Sequence, residues 1–345
     1  MLNKLIYKQP VMVFLGAGAS APLGMKTTLQ FMTSVLTERG INSNLISEII
    51  TSVTPSEELD KKVDIEAVLD YLEKLIEARE ACQKLLGVLP SSFDEIIKLR
   101  DQIEDLVVTH YSEIDAPKAF KHYEPLFEEL APFYSVPVFT TNYDLSIEKA
   151  YEHPRAQFQL IDGFKKTRRT IPHWSQVEYN NYKPRRRKEI ILFKLHGSVD
   201  WVRAPHGELQ RVGAGERNPG NLKTVLVYPT RTKKEIHEEP FRINYDYLLA
   251  CLAHTKLCLV IGFSFRDQEI SEHFRAAAGI NQELMLLIAD TNPNIANHTI
   301  RKFETGGGFA FMKIEKETIG DNIRPAIHWL REIVEEKKIS FEERP

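Results

Sequence analysis

Val11-Met-Val-Phe-Leu-Gly16-Ala-Gly18-Ala-Ser20-Ala21 reads as a buried strand, a glycine turn and the start of a helix. Five consecutive apolar residues without polar alternation suit a strand covered on both faces. The spacing G-x-G-x-x-A lets Gly16 form a tight turn, Gly18 bring the backbone close to a pyrophosphate, and Ala21 pack the helix against the strand. The helix amino terminus would face the phosphate charge, and Ser20 would add a hydroxyl. Lys26 does not stand in the G-x-x-x-x-G-K spacing, so this is not a Walker loop. Taken alone, the stretch suits a nucleotide-binding turn and a ligand-free turn equally.

Similar runs recur at Val136–Thr140, Ile190–Leu195, Thr224–Val227, Leu257–Ile261 and Leu284–Ala289. They predict an α/β fold, a mostly parallel sheet flanked by helices. In such a sheet the ligand crevice lies past the carboxyl ends of the strands. From about Thr27 to Leu130 helical spacing takes over. Ile65, Val68, Leu69 and Leu72 fall on one helix face. The expected organisation is a catalytic domain of 1–30 and 131–330, a helical insertion of 31–130, and a charged tail of 331–345. Lys165–Lys188 and Ala204–Asn221 are expected loops.

The 345 residues carry 45 basic and 48 acidic side chains, a net charge of -3. A dedicated duplex-binding domain would show a basic excess, so direct nucleic-acid binding is not expected. Cys82, Cys251 and Cys258 form no CxxC pair and read as small buried hydrophobes. The 11 histidines show no H-E-x-x-H spacing, and no metal site is expected. No apolar run approaches the ~20 residues that span a bilayer. No targeting signal is readable, so the expected location is cytoplasmic and off the membrane.

Three further strand ends carry chemistry: Thr140-Thr-Asn142-Tyr-Asp144, Lys194-Leu-His196-Gly197-Ser198 and Gly262-Phe-Ser264-Phe-Arg266-Asp267. Singly, Asn142 and Asp144 read as helix caps, His196 as a satisfied turn histidine, and Arg266 with Asp267 as a surface ion pair. Together they bring an amide, an imidazole, hydroxyls and a glycine turn to one sheet edge, the signature of an α/β enzyme site. In this order, with the Gly16–Ser20 loop, they resemble the motifs of the sirtuin superfamily. More narrowly, they resemble the bacterial sirtuin-like NADase domains of antiphage defence. Leu160-Ile-Asp-Gly-Phe164 and Tyr228-Pro-Thr230 fit that branch, and the resemblance runs from Val11 to Pro293.

The resemblance implies a Rossmann-like sirtuin fold with NAD+ as substrate and no metal. Gly16, Ala17, Gly18 and Ser20 would hold the pyrophosphate. Asn142, beside Thr141, would sit at the nicotinamide ribose, with Asp144 supporting the pocket and His196 as the catalytic histidine. Gly262 and Ser264 would line the adenosine end, and Asp290 or Asn292 would meet the adenine ribose. The chain departs from protein-deacylating sirtuins. Gly24-Met-Lys-Thr-Thr28 lacks their proline and Phe-Arg pair, and three dispersed cysteines cannot build their four-cysteine zinc module. The implied activity is NAD+ glycohydrolysis by an antiphage effector that depletes NAD+. The alternatives are a deacylase or ADP-ribosyltransferase, and a non-catalytic subunit sensing NAD or ADP-ribose. The implied partners are further copies of the chain and a HerA-type hexameric ATPase.

Overall fold

The computed structural model describes residues 2–53, 63, 65–86, 93–130, 135–165, 171–183, 188–213, 222, 224–227, 235–290, 308–313, 328, 330–332 and 335. Among them the strands are β1 (Val11–Leu15), β2 (Ser135–Thr140), β3 (Phe158–Ile161), β4 (Lys188–Lys194), β5 (Gly197–Arg203), β6 (Leu209–Arg211), β7 (Thr224–Leu226), β8 (Leu257–Ile261), β9 (Met285–Asp290) and β10 (Gly308–Lys313). The helices are α1 (Lys4–Tyr7), α2 (Ala17–Ser20), α3 (Thr28–Thr37), α4 (Ser43–Val53), α5 (Ile65–Leu86), α6 (Phe93–Ser112), α7 (Ala116–Glu129), α8 (Ser146–Glu152), α9 (Gln176–Asn180), α10 (Phe241–Leu252) and α11 (Gln268–Ile280).

The chain divides into two compact units. The first contains a seven-stranded sheet in the order β10-β9-β8-β1-β2-β4-β3, with every neighbouring pair parallel. Why its strands read as continuous apolar runs is visible in their packing. Val11, Val13 and Leu15 join one core with Val136, Val138, Leu257 and Leu259, covered by Ala119, Tyr123, Leu126 and Phe127 of α7. Met12 and Phe14 point the other way and pack with Phe139, Phe193, Cys258 and Val260 under Tyr247 and Leu248 of α10 and Phe274 of α11. Alternate side chains feed two cores, so no position is left for a polar residue. Cys251 and Cys258 are buried, with both thiols pushed up in pKa by burial. The Cys82 side chain lies outside the described residues.

The strand ends are level. Leu15 pairs with Thr140 and with Ile261, Thr140 with Lys194, and Ile261 with Ala289. The chain leaves β1 for β2 on one side and later adds β8 on the other. That reversal is the topological switch point at which open α/β sheets bind ligands.

Three expectations are corrected. Thr224–Val227 does not join the parallel sheet: β7 pairs antiparallel with β5 in a separate sheet of order β6-β5-β7, half-buried rather than covered on both faces. The expected loop Ala204–Asn221 contains β6, paired with β5. Helix α7, grouped with the insertion by its spacing, belongs to the sheet unit, because its apolar face covers β1 and β2. The second unit is built on Lys26–Glu113. There α3 starts on a capping box of Thr27 and Gln30. Phe31, Met32, Ile46, Val68, Leu72, Leu99, Ile103 and Val107 are buried within it.

Candidate functional site

The glycine turn after β1 is held against the turn after β8. Gly16 N donates to Ile261 O at 2.9 Å, and Gly18 N donates to Gly262 O at 3.0 Å. A Cβ on Gly18 would meet the Gly262 Cα at 2.7 Å, and one on Gly262 would meet Gly18 and Ala19 backbone at 2.5 Å. Gly262 also has φ +63°, the left-handed region that favours glycine. Gly18 therefore admits a neighbouring turn of its own chain. The helix that follows is short: α2 gives way to a 3-10 turn at Ala21–Leu23, where Pro22 lacks an N–H. Ala21, expected to pack on the strand, is exposed, and Ala19 is the buried residue.

Asn142 leaves β2 beside this turn. Its N–H donates to Thr140 Oγ1 at 3.0 Å. Its Nδ2 donates to Gly16 O and to Ser20 Oγ, each at 3.0 Å. Both amide protons go to the glycine loop, and Oδ1 is buried without a partner. Ser20 is fully buried, with its hydroxyl also near Tyr123 OH at 3.3 Å and Ser146 Oγ at 3.2 Å. Thr141 N donates to Leu15 O at 3.3 Å, closing the gap between the β1 and β2 ends. Asp144 is buried and accepts from Ser146 N at 2.9 Å in an Asx turn just before α8; the N-cap itself is Leu145, so the reading of Asp144 as the helix cap is corrected.

Beneath this loop sits Lys194, the last residue of β4, a lysine buried on all sides. Its ammonium donates to Asp144 O at 2.6 Å, Ser198 Oγ at 2.8 Å, Glu148 Oε1 at 3.2 Å and Tyr143 O at 3.4 Å. A buried charge persists only when paired and hydrogen-bonded, and Lys194 is both. Burial raises the Glu148 carboxyl above the ordinary carboxylate range, with Lys194 opposing and Asp200 adding to the rise.

His196 follows two residues later and is buried. Its Nε2 stands 3.0 Å from Asp267 Oδ2, and Asp267 is buried as well. The reading of Asp267 as half of a surface ion pair is therefore corrected. Arg266 points to solvent and Asp267 turns inward, because Phe265 between the glycine turn and Asp267 takes φ 55°. The imidazole lies 6.3 Å, centroid to centroid, from the ring of Tyr143, next to Asn142. Behind it, Asn244 Nδ2 donates to Lys194 O at 2.9 Å while its Oδ1 is buried and unpartnered. The Tyr245 hydroxyl is unpartnered too, its pKa raised well above the ordinary value by burial, Asp267 and Glu269.

The structure thus joins Asn142 to Gly16 and Ser20, and Gly18 to Gly262, by direct hydrogen bonds, with Thr141 bonded to Leu15, Asp144 to Ser146, and His196 near the ring of Tyr143. Ala17 opens α2 in the same turn, and Ser264 is half-buried in the β8 turn. Asp290 ends β9, whose Ala289 O accepts from Gly262 N at 2.9 Å. Asn292 lies outside the described residues. Sequence reasoning missed Lys194, Glu148 and Tyr123. A charged residue inside the otherwise apolar run Ile190–Leu195 was the available signal for Lys194, and nothing local marks Glu148 or Tyr123. Among the described residues no group of three or more His, Cys, Asp or Glu could hold a metal ion, and no helix is long and apolar enough to cross a membrane.

A family model described as a SIR2-like domain matches residues 136–305. That span holds Asn142, His196, Gly262 and Asp267, and begins after the Gly16–Ser20 loop. No curated protein sequence matches the chain. Among solved structures, a Sir2 homologue in complex with NAD is 13% identical, with 95% of this chain and 93% of that one covered and a TM-score of 0.46. A mutant Sir2 homologue in complex with ADP-ribose is 13% identical, with 95% and 96% covered and a TM-score of 0.43. A Sir2 protein bound to a propionylated peptide is 11% identical, with 96% and 94% covered and a TM-score of 0.38.

Proposed function

We propose that this chain binds NAD+ at the carboxyl edge of its parallel sheet and hydrolyses the nicotinamide–ribose bond. The observation that carries this reading is an asparagine with an unsatisfied Oδ1 bonded to the glycine turn at a switch point, with a buried imidazole at the end of the neighbouring strand. The match to a SIR2-like family model across this region supports it.

The scissile bond joins an anomeric carbon to a cationic nitrogen heterocycle. As it breaks, its electron pair goes to the ring nitrogen, so nicotinamide leaves neutral and needs no protonation. The sugar carbon becomes electron-poor and takes a water oxygen. The surplus proton of that water goes to His196, giving nicotinamide, ADP-ribose and a proton released later. A general base of this kind contributes typically ~10²–10⁴-fold. Asn142 Oδ1, an acceptor, holds the O–H of the water or of a ribose hydroxyl. The Gly16, Ala17 and Gly18 turn would pass close to the pyrophosphate, with the Gly16 and Gly18 N–H groups already bonded to Ile261 O and Gly262 O. Ser20 is too deeply held for that task and instead fixes Asn142. Asp144 supports the ribose side, Gly262 and Ser264 the adenosine end, and Asp290 or Asn292 the adenine ribose.

In this reading the protein is a cytoplasmic antiphage effector that depletes NAD+. It acts as a homo-oligomer gated by a HerA-type hexameric ATPase. The test is release of nicotinamide from NAD+ by the purified chain, followed by chromatography with and without such an ATPase. His196→Ala and Asn142→Ala should each lower the rate at least about 100-fold in protein that still folds, with a lowered melt in Asn142→Ala from the loss of its two bonds to the glycine loop. Full turnover in either folded variant would remove that residue from the mechanism. Nicotinamide release that requires an acyl-lysine peptide would instead identify a deacylase. NAD+ binding without release, under every condition, would identify a sensing subunit.

A further inference from the structure

Asp267 comes to His196 from the far side of the sheet, and its two oxygens do different things. Oδ1 accepts from Ile270 N at 3.2 Å and caps α11, an ordinary task for an aspartate before a helix. Oδ2 stands 3.0 Å from His196 Nε2, a charge contact without hydrogen-bond alignment that capping does not require. The turn that aims it is over-determined. Phe265 holds a left-handed conformation that costs a non-glycine residue on the order of 1 kcal/mol or more. It keeps it because its ring is fully buried against Phe263 and Phe274, and Ser271 Oγ donates to its carbonyl at 3.0 Å. Ser271 N also donates to Asp267 O at 3.0 Å.

We infer that Asp267 is a positioning residue for His196, an inference that rests on the reading of His196 as proton acceptor. A negative charge 3.0 Å from Nε2 favours the proton on that nitrogen. The lone pair is then on Nδ1. When Nδ1 takes the proton from water, the imidazolium forms beside a negative charge already in position. In this role Asp267 acts through the ring.

The two functions of the carboxylate separate by substitution. Asp267→Asn and Asp267→Ser both retain a side-chain oxygen able to cap α11. Asn turns its amide N–H toward Nε2, which drives the ring proton to Nδ1, and Ser leaves Nε2 without a partner. The expected result in both is a fall in kcat of about 100-fold or more, with NAD+ affinity measured by calorimetry within about threefold of wild type. Nitrogen-15 shifts of the His196 ring in the full-length chain should report a proton on Nε2 in wild type and on Nδ1 in Asp267→Asn. Wild-type kcat in both variants, with His196→Ala inactive, would reduce Asp267 to a helix cap. A wild-type ring protonated on Nδ1 alone would overturn the inference outright. If the wild-type chain cleaves no NAD+, the glycohydrolase reading fails, and the ring nitrogens still decide whether Asp267 sets the tautomer.

Discussion

At the scale of single residues, the glycine turns carry a stability prediction. Gly262 and Gly207 both have positive φ, +63° and +88°, but only Gly262 has backbone against its missing Cβ. Gly207→Ala should cost about 1–2 kcal/mol, the price of the left-handed conformation. Gly262→Ala should cost about 1–3 kcal/mol more, from overpacking against Gly18 and Ala19. Equal losses in urea denaturation would mean that the two turns can part without cost. Tyr245→Phe removes a buried hydroxyl that has no partner, and should leave stability unchanged or raise it by up to about 1 kcal/mol. A loss of more than that would show that the hydroxyl is satisfied in solution. The sequence carried Gly16 and Gly18 as a turn because G-x-G after an apolar run is a local pattern. What Gly18 admits was not legible, since Gly262 reaches it only through the pairing of β1 with β8. Asp267 was misread for the same reason: its neighbour in sequence is Arg266, and its neighbour in space is His196.

At the scale of elements, Lys194 ties the end of β4 to α8 and to the loop bearing Asn142. Glu148, its partner on α8, has a raised pKa in the folded protein, so the folded state binds more protons than the unfolded state above the ordinary carboxylate pKa. Stability from this group is complete below about pH 4.3 and declines as pH rises toward the folded value. Glu148→Gln should therefore lose less stability than wild type between about pH 4.3 and neutrality. Parallel curves in chemical denaturation across that range would refute the raised pKa. Strands β1, β2, β4, β8 and β9 were legible because burial on both faces leaves continuous apolar runs. β3 alternates buried and exposed positions at the sheet edge, and β6 and β7 are three residues each, too short for a period to register. In the small sheet, burial works to lower the Arg211 pKa. Asp162 and Asp200, at 2.6 and 3.0 Å, outweigh it and hold the guanidinium charged. With β6 and β7 half-buried and the buried β5 carrying Asp200, this sheet has no continuous apolar signature.

At the scale of the whole molecule, the boundary between the units falls at Glu113 and Ile114, before α7. Helical spacing continues through both sides of that point, so sequence alone extended the insertion to residue 130. What separates α7 is the surface that covers Ala119, Tyr123, Leu126 and Phe127. A fragment of residues 26–113 should stay soluble and helical by circular dichroism. A fragment of residues 26–130 carries the α7 face uncovered and should bind a hydrophobic dye or aggregate. Equal solubility of the two would move the boundary. The central place of β1 has a consequence for synthesis. The strand emerges from the ribosome early, yet β8, which holds its glycine turn, follows some 240 residues later. At ordinary translation speeds that is a delay of roughly 10–50 s. Until then Gly18 has no Gly262 to rest on and His196 has no Asp267. A nascent chain, or one truncated before residue 262, carries most of the motifs and not the arrangement they form.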